Sequence, residues 1–266
     1  MKKFLIISGD SFTDNNYRSS SHPEMDTSWP KWPEILAKKL DMNLINLGRS
    51  GSGNEYIYSS LQDTIERFED KSKIGLVIAG WSQCFRTDFE KGLEWANTDI
   101  SRADRGIQGW NDLRINPHGD ILGWVKRSLR IYKSFEYMCE NHNIPYLQTQ
   151  MIPMYIDWLR GLMMSGEEAH AKGFTPMETW DTRMEYPGDR EADEIKILKT
   201  ILEYDSIINH DNFIGWPISR KLNGYCLAVE TCGLAPESPY VISEYDGHPN
   251  KIGQERIAEH VYDWLG

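Results

Sequence analysis

Short apolar segments that end at a glycine alternate with amphipathic segments along this chain. Residues 3–8 read Lys-Phe-Leu-Ile-Ile-Ser before Gly9, and residues 74–79 form a second apolar run that also ends at a glycine. Between them, residues 55–68 place four apolar side chains on one helical face: Ile57, Leu61, Ile65 and Phe68. Strands that alternate with helices predict βαβ units. We therefore expect an α/β fold whose mostly parallel sheet is covered by helices on both faces.

Two long segments interrupt this alternation. The predicted strands cover residues 3–8, 43–47, 74–79 and 145–150, and the predicted helices cover 33–40, 55–68, 121–141, 191–208 and 251–265. The interruptions run from about 83 to 120 and from about 154 to 190, and both are rich in Trp, Gly, Asp and Arg. Both follow strand ends, where an open parallel sheet forms its ligand crevice. We expect a single domain over 1–266 in which these insertions form a lid or a wall of the substrate site.

Composition narrows the range of partners. The chain has 266 residues, of which 40% are hydrophobic, and this length buries a sizeable core without disulfide or metal staples. Acidic residues outnumber basic ones 40 to 29, giving a net charge of −11, which argues against a nucleic-acid partner. The apolar runs are too short to span a membrane. The sequence does not indicate an oligomeric state.

The sequence contains neither a clear signal peptide nor a cysteine pattern that indicates disulfides or a metal site. The apolar core of the N-terminal segment is only four residues long before Gly9, too short for the hydrophobic region of a signal peptide. This predicts a cytoplasmic location, although a phage- or virion-associated protein would have the same features. The four cysteines form no Cys-x-x-Cys pair, so we expect reduced thiols and no zinc site.

Three turns carry residues suited to chemistry. Ser11 follows the first strand in Gly-Asp-Ser, where it is either a nucleophile or a helix cap. The glycine-rich turn over 48–53 offers free backbone N–H groups, which suit an oxyanion donor, a phosphate cradle or a flexible turn. His248, two residues after Asp246, suits a base held in one tautomer. Together these turns place nucleophile, oxyanion donor and base in an order that a hydrolase uses.

These segments resemble the conserved blocks of the SGNH, or GDSL-type, hydrolases. The resemblance lies in Gly9-Asp10-Ser11, in the Ser50-Gly51 turn and in His248-Pro249-Asn250, with a further similarity of residues 32–40 and 46–48 to that family's second segment. It implies a three-layer α/β/α flavodoxin-like fold and a metal-independent, cofactor-independent esterase, lipase, thioesterase or carbohydrate deacetylase. It also implies that Ser11 is the nucleophile, that the Ser11 and Gly51 amides form the oxyanion hole, and that His248 is the general base.

The chain departs from the family pattern at two places. The third block of the family is Gly-x-Asn-Asp, whose Asn is a third oxyanion donor, whereas this chain has Ser82 in that position. The Ser82 hydroxyl or the Gln83 amide is the expected substitute, with Asn54 as a poorer match. The family places its Asp three residues before the His, a position that Tyr245 occupies here. We expect Asp246 to orient His248, with Glu244 as the second candidate.

The function predicted is hydrolysis of an acetyl or other short acyl ester, with a small molecule or glycan as substrate. The expected substrate-binding side chains are Asp10, Asn54 and Trp81. Two alternatives stay open at this point: a non-catalytic carbohydrate-binding or structural module on the same fold, and a nucleotide-binding protein that uses the 48–53 turn. Asp10, Asp14 and Asp246 also suggest a metal site, although local hydrogen bonding explains them more simply.

Overall fold

Five parallel strands form the centre of the molecule. The computed structural model describes residues 2–91, 94–99, 120–155, 189–233 and 238–266. The strands are β1 (Phe4–Ser8), β2 (Asn43–Asn46), β3 (Ile74–Trp81), β4 (Arg86–Lys91), β5 (Glu94–Asp99), β6 (Tyr146–Gln150), β7 (Phe213–Ile214), β8 (Val241–Ser243) and β9 (Asp246–Pro249). The α-helices are α1 (Trp32–Lys39), α2 (Asn54–Arg67), α3 (Ile121–Asn141), α4 (Arg190–Glu203), α5 (Leu227–Cys232) and α6 (Lys251–Trp264). Short 3₁₀ helices cover Lys71–Lys73, His210–Asn212 and Arg220–Leu222.

The order of strands in the main sheet is β2-β1-β3-β6-β7, and all neighbours are parallel. Side chains on β1 alternate between its two faces. Leu5 and Ile7 pack with buried residues of α1 and α6, whereas Ile6 packs with those of α2, α3 and α4. Because both faces of the strand are covered, its sequence is a continuous apolar run instead of an alternating one.

The predicted α/β/α fold class is confirmed by this sheet and its two layers of helices. The predicted helix over 121–141 has the observed bounds, and the other predicted elements overlap observed ones. The prediction that Asp246 and His248 lie in a turn is wrong. Asp246–Pro249 is a strand that pairs with Val241–Ser243 in an antiparallel hairpin.

The two insertions are only partly described. The start of the first contains the antiparallel hairpin of β4 and β5. Residues 100–119 and 156–188 lie outside the described residues, and so does most of the predicted lid. The expectation of a single domain stays a prediction. None of the helices in the described ranges combines the length and the apolarity that a membrane span needs.

Candidate active site

Ser11 lies in a tight turn directly after β1. The Asp10 carbonyl accepts hydrogen bonds from the Thr13 and Asp14 amides, and the Asp10 carboxylate accepts one from the Phe12 amide at 3.0 Å. A side chain at Gly48 would come within 2.7 Å of the Thr13 backbone, so the glycine allows the 48–53 turn to approach this turn closely. Ser11 is therefore held at the carboxyl edge of the sheet, where it remains partly exposed.

His248 and Asp246 reach Ser11 from the other end of the chain. The Ser11 hydroxyl lies 2.7 Å from Nε2 of His248, and Nδ1 of His248 lies 2.6 Å from Oδ1 of Asp246. When Nδ1–H donates to the carboxylate, Nε2 is left to accept the serine proton. Glu244, the second candidate for this role, is exposed to solvent.

The β8–β9 hairpin, which carries Asp246 and His248, is fixed by the residue that precedes α6. Asn250 caps this helix by accepting a hydrogen bond from the Gly253 amide at 3.1 Å. Its side-chain amide donates to the Pro239 and Val241 carbonyls, both at 2.9 Å. One asparagine thus joins the helix to the hairpin that carries the imidazole.

Tyr17 is a fourth member of this cluster, and the sequence did not predict it. Its hydroxyl donates to Oδ2 of Asp246 at 2.8 Å and lies 2.8 Å from Nδ1 of His248. Its ring stacks on the imidazole, with 4.1 Å between ring centroids, while Phe12 packs 4.8 Å from it on a tilted plane. Burial first, and then the Asp246 charge, raise the pKa of Tyr17 far above its ordinary value, so the phenol stays a donor.

Asp246 is held in its ionised form. Burial alone would raise the pKa of Asp246, but the hydrogen bonds and the charge of His248 outweigh it and leave the pKa well below the ordinary value for Asp. The Asp246 carboxylate is 4% exposed, whereas the His248 side chain is 27% exposed. The carboxylate is thus sequestered, while the imidazole reaches the site.

The 48–53 turn presents backbone donors beside Ser11. Gly51 has φ of +81°, a left-handed conformation that favours glycine. Asp14 fixes the turn by accepting hydrogen bonds from the Ser50 amide and hydroxyl at 2.9 and 2.7 Å. Within the described part of the chain, the Ser11 and Gly51 amides have no hydrogen-bond partner. Both residues are partly exposed.

Ser82 does not fit the role of oxyanion donor that we predicted. Its hydroxyl donates to Oδ2 of Asp10 at 3.0 Å, and its amide donates to Oδ1 of Asn54 at 2.8 Å. Both donors of this fully buried residue are therefore used inside the protein. Asn54 is buried as well, and its side-chain amide donates to Ser128 at 3.0 Å. The role predicted for Gln83, which is buried at the same bend, stays a prediction.

The side chains of Asp10, Asn54 and Trp81, for which we predicted substrate contacts, are all buried. Trp81 is fully buried and donates its indole N–H to Gln148 at 2.9 Å, because β3 extends two residues further than predicted. Asp10 is fully buried and accepts hydrogen bonds from the Phe12 amide and the Ser82 hydroxyl. All three side chains are thus engaged inside the protein in this structure.

The metal interpretation of Asp10, Asp14 and Asp246 is not supported by their surroundings. Each carboxylate accepts hydrogen bonds from protein groups, and Asp246 faces an imidazole. Over the ranges that the structure describes, no group of three or more His, Cys, Asp or Glu side chains is arranged to hold a metal ion.

Arg86 is the second residue that the sequence analysis missed. It begins β4, and its Nη1 donates to the Ser82 hydroxyl at 2.8 Å and the Ser52 carbonyl at 3.1 Å, and lies 3.4 Å from Oδ2 of Asp10. No periodicity or motif marks residue 86. The sequence contains one indication: position 86 carries an arginine a few residues after β3, a strand whose carboxyl end lies at the site.

Comparison with known proteins gives no match to a family profile or to a curated protein. Solved structures are similar at low identity. One is a protein assigned to the G-D-S-L lipolytic family from Desulfitobacterium hafniense, at 13% identity and a TM-score of 0.47, covering 99% of this chain and 100% of the other. Another is the esterase EstA from a Pseudoalteromonas species, at 14% identity and a TM-score of 0.45, covering 99% of this chain and 97% of the other. A third is an acetyl xylan esterase from Geobacillus stearothermophilus, at 14% identity and a TM-score of 0.39, covering 100% of this chain and 94% of the other.

Proposed function

We propose that this protein is an ester hydrolase of the SGNH type, with Ser11 as nucleophile, His248 as base and Asp246 as the acid that orients it. The observation that carries the proposal is the continuous contact from the Ser11 hydroxyl to Nε2 at 2.7 Å and from Nδ1 to Asp246 at 2.6 Å. A nucleophile, a base within hydrogen-bond reach and a carboxylate that orients the base are the parts that acyl transfer requires.

Acylation begins when the Ser11 proton moves to Nε2 of His248 and Oγ attacks the acyl carbon. The carbonyl π electrons move to oxygen, and the Ser11 and Gly51 amides stabilise the resulting oxyanion. The intermediate then collapses, the bond to the alcohol breaks, and Nε2 returns its proton to the leaving oxygen. The product of this half-reaction is an ester between the acyl group and Ser11.

Deacylation repeats these steps with water. His248 removes a proton from water, the hydroxide oxygen attacks the acyl carbon, and Ser11 leaves with the proton that Nε2 returns. Asp246 remains ionised throughout, because its pKa lies well below the ordinary value, and it stabilises the imidazolium at both stages.

The proposed substrate is an acetyl or other short acyl ester, with an O-acetylated carbohydrate preferred. The polar, Trp- and Asp-rich composition of residues 83–120 and 154–190 supports this choice. Aromatic and carboxylate side chains suit sugar rings and hydroxyls, whereas a lipase would carry a long apolar loop.

A series of p-nitrophenyl esters tests the proposal. We expect the wild-type protein to hydrolyse the acetate faster than the octanoate or decanoate, and to react covalently with a fluorophosphonate probe. A preference for the long chains would contradict the substrate class. A folded protein that neither reacts with the probe nor hydrolyses any ester would contradict the enzyme itself.

The second candidate is a carbohydrate-binding module without catalysis, and the engaged donors of Ser82 favour it. Loss of one oxyanion donor lowers kcat by about 10²–10³-fold in other hydrolases. Binding of glycans that is unaffected by Ser11→Ala, together with no ester turnover, would support this candidate in place of the enzyme.

Replacing Tyr17 with phenylalanine is expected to lower kcat on p-nitrophenyl acetate about tenfold and to leave KM unchanged. The substitution removes the hydrogen bond to Oδ2 of Asp246 and keeps the ring that stacks on His248. The matched control is Tyr262→Phe on the exposed side of α6, which should keep full activity. Equal activity of both variants would show that the Tyr17 hydroxyl does not support the catalytic pair.

A further inference from the structure

Arg86 places a positive charge beside the turn that carries Ser11. The three groups that Nη1 contacts belong to three different segments of the site: Asp10 in the Ser11 turn, Ser52 next to Gly51, and Ser82 after β3. The guanidinium therefore lies between the two turns that present the backbone donors. The Arg86 side chain is 18% exposed and the Asp10 carboxylate is fully buried.

The guanidinium has donors to spare. Arginine carries five N–H groups, and the three contacts above all use Nη1. Nε and Nη2 have no hydrogen-bond partner among the residues that the structure describes. The side chain is anchored at one nitrogen, and its charge also interacts with the buried Asp88 carboxylate two residues further along β4.

The main chain of Arg86 is fixed as well. Its carbonyl accepts a hydrogen bond from Nη2 of Arg127 at 3.0 Å, and a side chain at Gly53 would lie only 2.8 Å from its Cβ. The residue is therefore packed against Gly53, the residue that precedes α2, and against the Ser52 carbonyl of the 48–53 turn. A preorganised cation of this kind costs little reorganisation when a negative charge develops near it.

The buried Asp10 carboxylate places a negative charge next to Ser11. Asp10 precedes Ser11 directly, so its negative charge lies next to the position where the acyl oxygen becomes an oxyanion. Like charges at close range in a site of low dielectric repel each other strongly. Arg86 is the cation that the structure pairs with this carboxylate.

We infer that Arg86 is the cationic member of the oxyanion site: its guanidinium offsets the Asp10 charge and stabilises the oxyanion beside the Ser11 and Gly51 amides. This inference rests on the proposed ester hydrolysis. It explains how the chain can dispense with an asparagine at position 82, because Ser82 serves as a ligand of the guanidinium instead of a donor to the substrate.

The test compares Arg86→Gln with Arg86→Lys on p-nitrophenyl acetate. We expect Arg86→Gln to lower kcat about 10²–10³-fold with KM changed by less than about threefold, because the charge acts on the transition state. Arg86→Lys keeps a positive charge and should retain kcat within about tenfold of the wild type. Arg67→Ala, which removes an 80% exposed arginine of α2, is the control that should leave kcat unchanged.

Added guanidinium separates a role in charge stabilisation from a role in folding. We expect guanidinium chloride at concentrations far below those that unfold the protein to restore part of kcat in Arg86→Ala and to have no effect on the wild type. Circular dichroism checks that each variant is folded. A folded Arg86→Gln variant with wild-type kcat, or equal losses in Arg86→Gln and Arg86→Lys without rescue, would overturn the inference.

Labelling keeps this inference distinct from the proposed function. If wild-type protein reacts with the fluorophosphonate probe and Arg86→Gln reacts at the same rate, only the role of Arg86 fails. If the wild-type protein does not react and hydrolyses no ester, the proposed hydrolase fails, and the inference fails with it. If Arg86→Gln does not fold, Arg86→Lys is decisive. A kcat and a labelling rate within about tenfold of the wild type would support the role of the positive charge, and a larger loss of both would overturn it.

Discussion

Ser11→Ala is expected to lower kcat on p-nitrophenyl acetate about 10⁵–10⁶-fold and to abolish labelling by a fluorophosphonate probe. The variant keeps the Ser11 and Gly51 amides and the imidazole, but it has no oxygen to form the acyl-enzyme. The slow reaction that remains would come from binding and from the backbone donors. The measurement is a steady-state assay combined with mass spectrometry of the labelled protein.

The control for this variant is Ser134→Ala on the exposed face of α3, where the hydroxyl donates to the Arg130 carbonyl. Peptide mapping adds a second check, because Ser243 also has its hydroxyl against a histidine, 2.6 Å from Nε2 of His22. Ser243 accepts hydrogen bonds from the Tyr245 and Asp246 amides, so we expect no label there. A label on Ser243, or full activity of Ser11→Ala, would contradict the assignment of the nucleophile.

Asp246→Asn is expected to lower kcat about 10⁴-fold while leaving the fold intact. An asparagine amide does not hold Nδ1–H toward itself as a carboxylate does, so the wrong tautomer of His248 is favoured and Nε2 no longer accepts the Ser11 proton. The exposed Glu244, replaced by glutamine, is the matched control and should keep wild-type activity. If Glu244→Gln lost activity and Asp246→Asn did not, the orienting acid would be Glu244.

The pH dependence of this pair follows from the low pKa of Asp246. A carboxyl whose folded pKa lies below its unfolded value adds stability above the unfolded pKa of about 3.9, and that stability is lost as the pH falls through the folded pKa. Asp246→Asn lacks this contribution. We expect the difference in thermal midpoint between the wild type and Asp246→Asn to be constant near neutral pH and to shrink below about pH 4. A difference that does not change with pH would mean that folding does not lower the pKa of Asp246.

Much of the fold could be predicted because it depends on local patterns. The buried strands β1 and β3 are continuous apolar runs that end near a glycine, and α2 and α3 have clear apolar faces. Strand β7 was missed because two residues carry no periodicity. The β8–β9 hairpin was missed because its segments are three and four residues long and mostly polar.

The site was predictable only where its residues occur in short sequence motifs of characteristic composition. Ser11, Gly51 and His248 follow this rule, and the structure brings the first and last into contact. Tyr17 and Arg86 do not, because their roles depend on contacts across 229 and 76 residues of sequence. The burial of Trp81 could not be predicted because a strand's length depends on its neighbour: β6 pairs with β3 as far as residue 81, and the indole lies in the core.

The contact between Ser11 and His248 spans 237 residues of sequence. Loop closure over such a distance costs conformational entropy that only the completed tertiary structure repays. In the proposed mechanism, Ser11 is activated only after β1, the 48–53 turn and the terminal hairpin have all reached their native positions. Reactivity at Ser11 is therefore a reporter of global folding, and covalent labelling during refolding would register the native protein alone, whereas circular dichroism would also count its partly folded precursors.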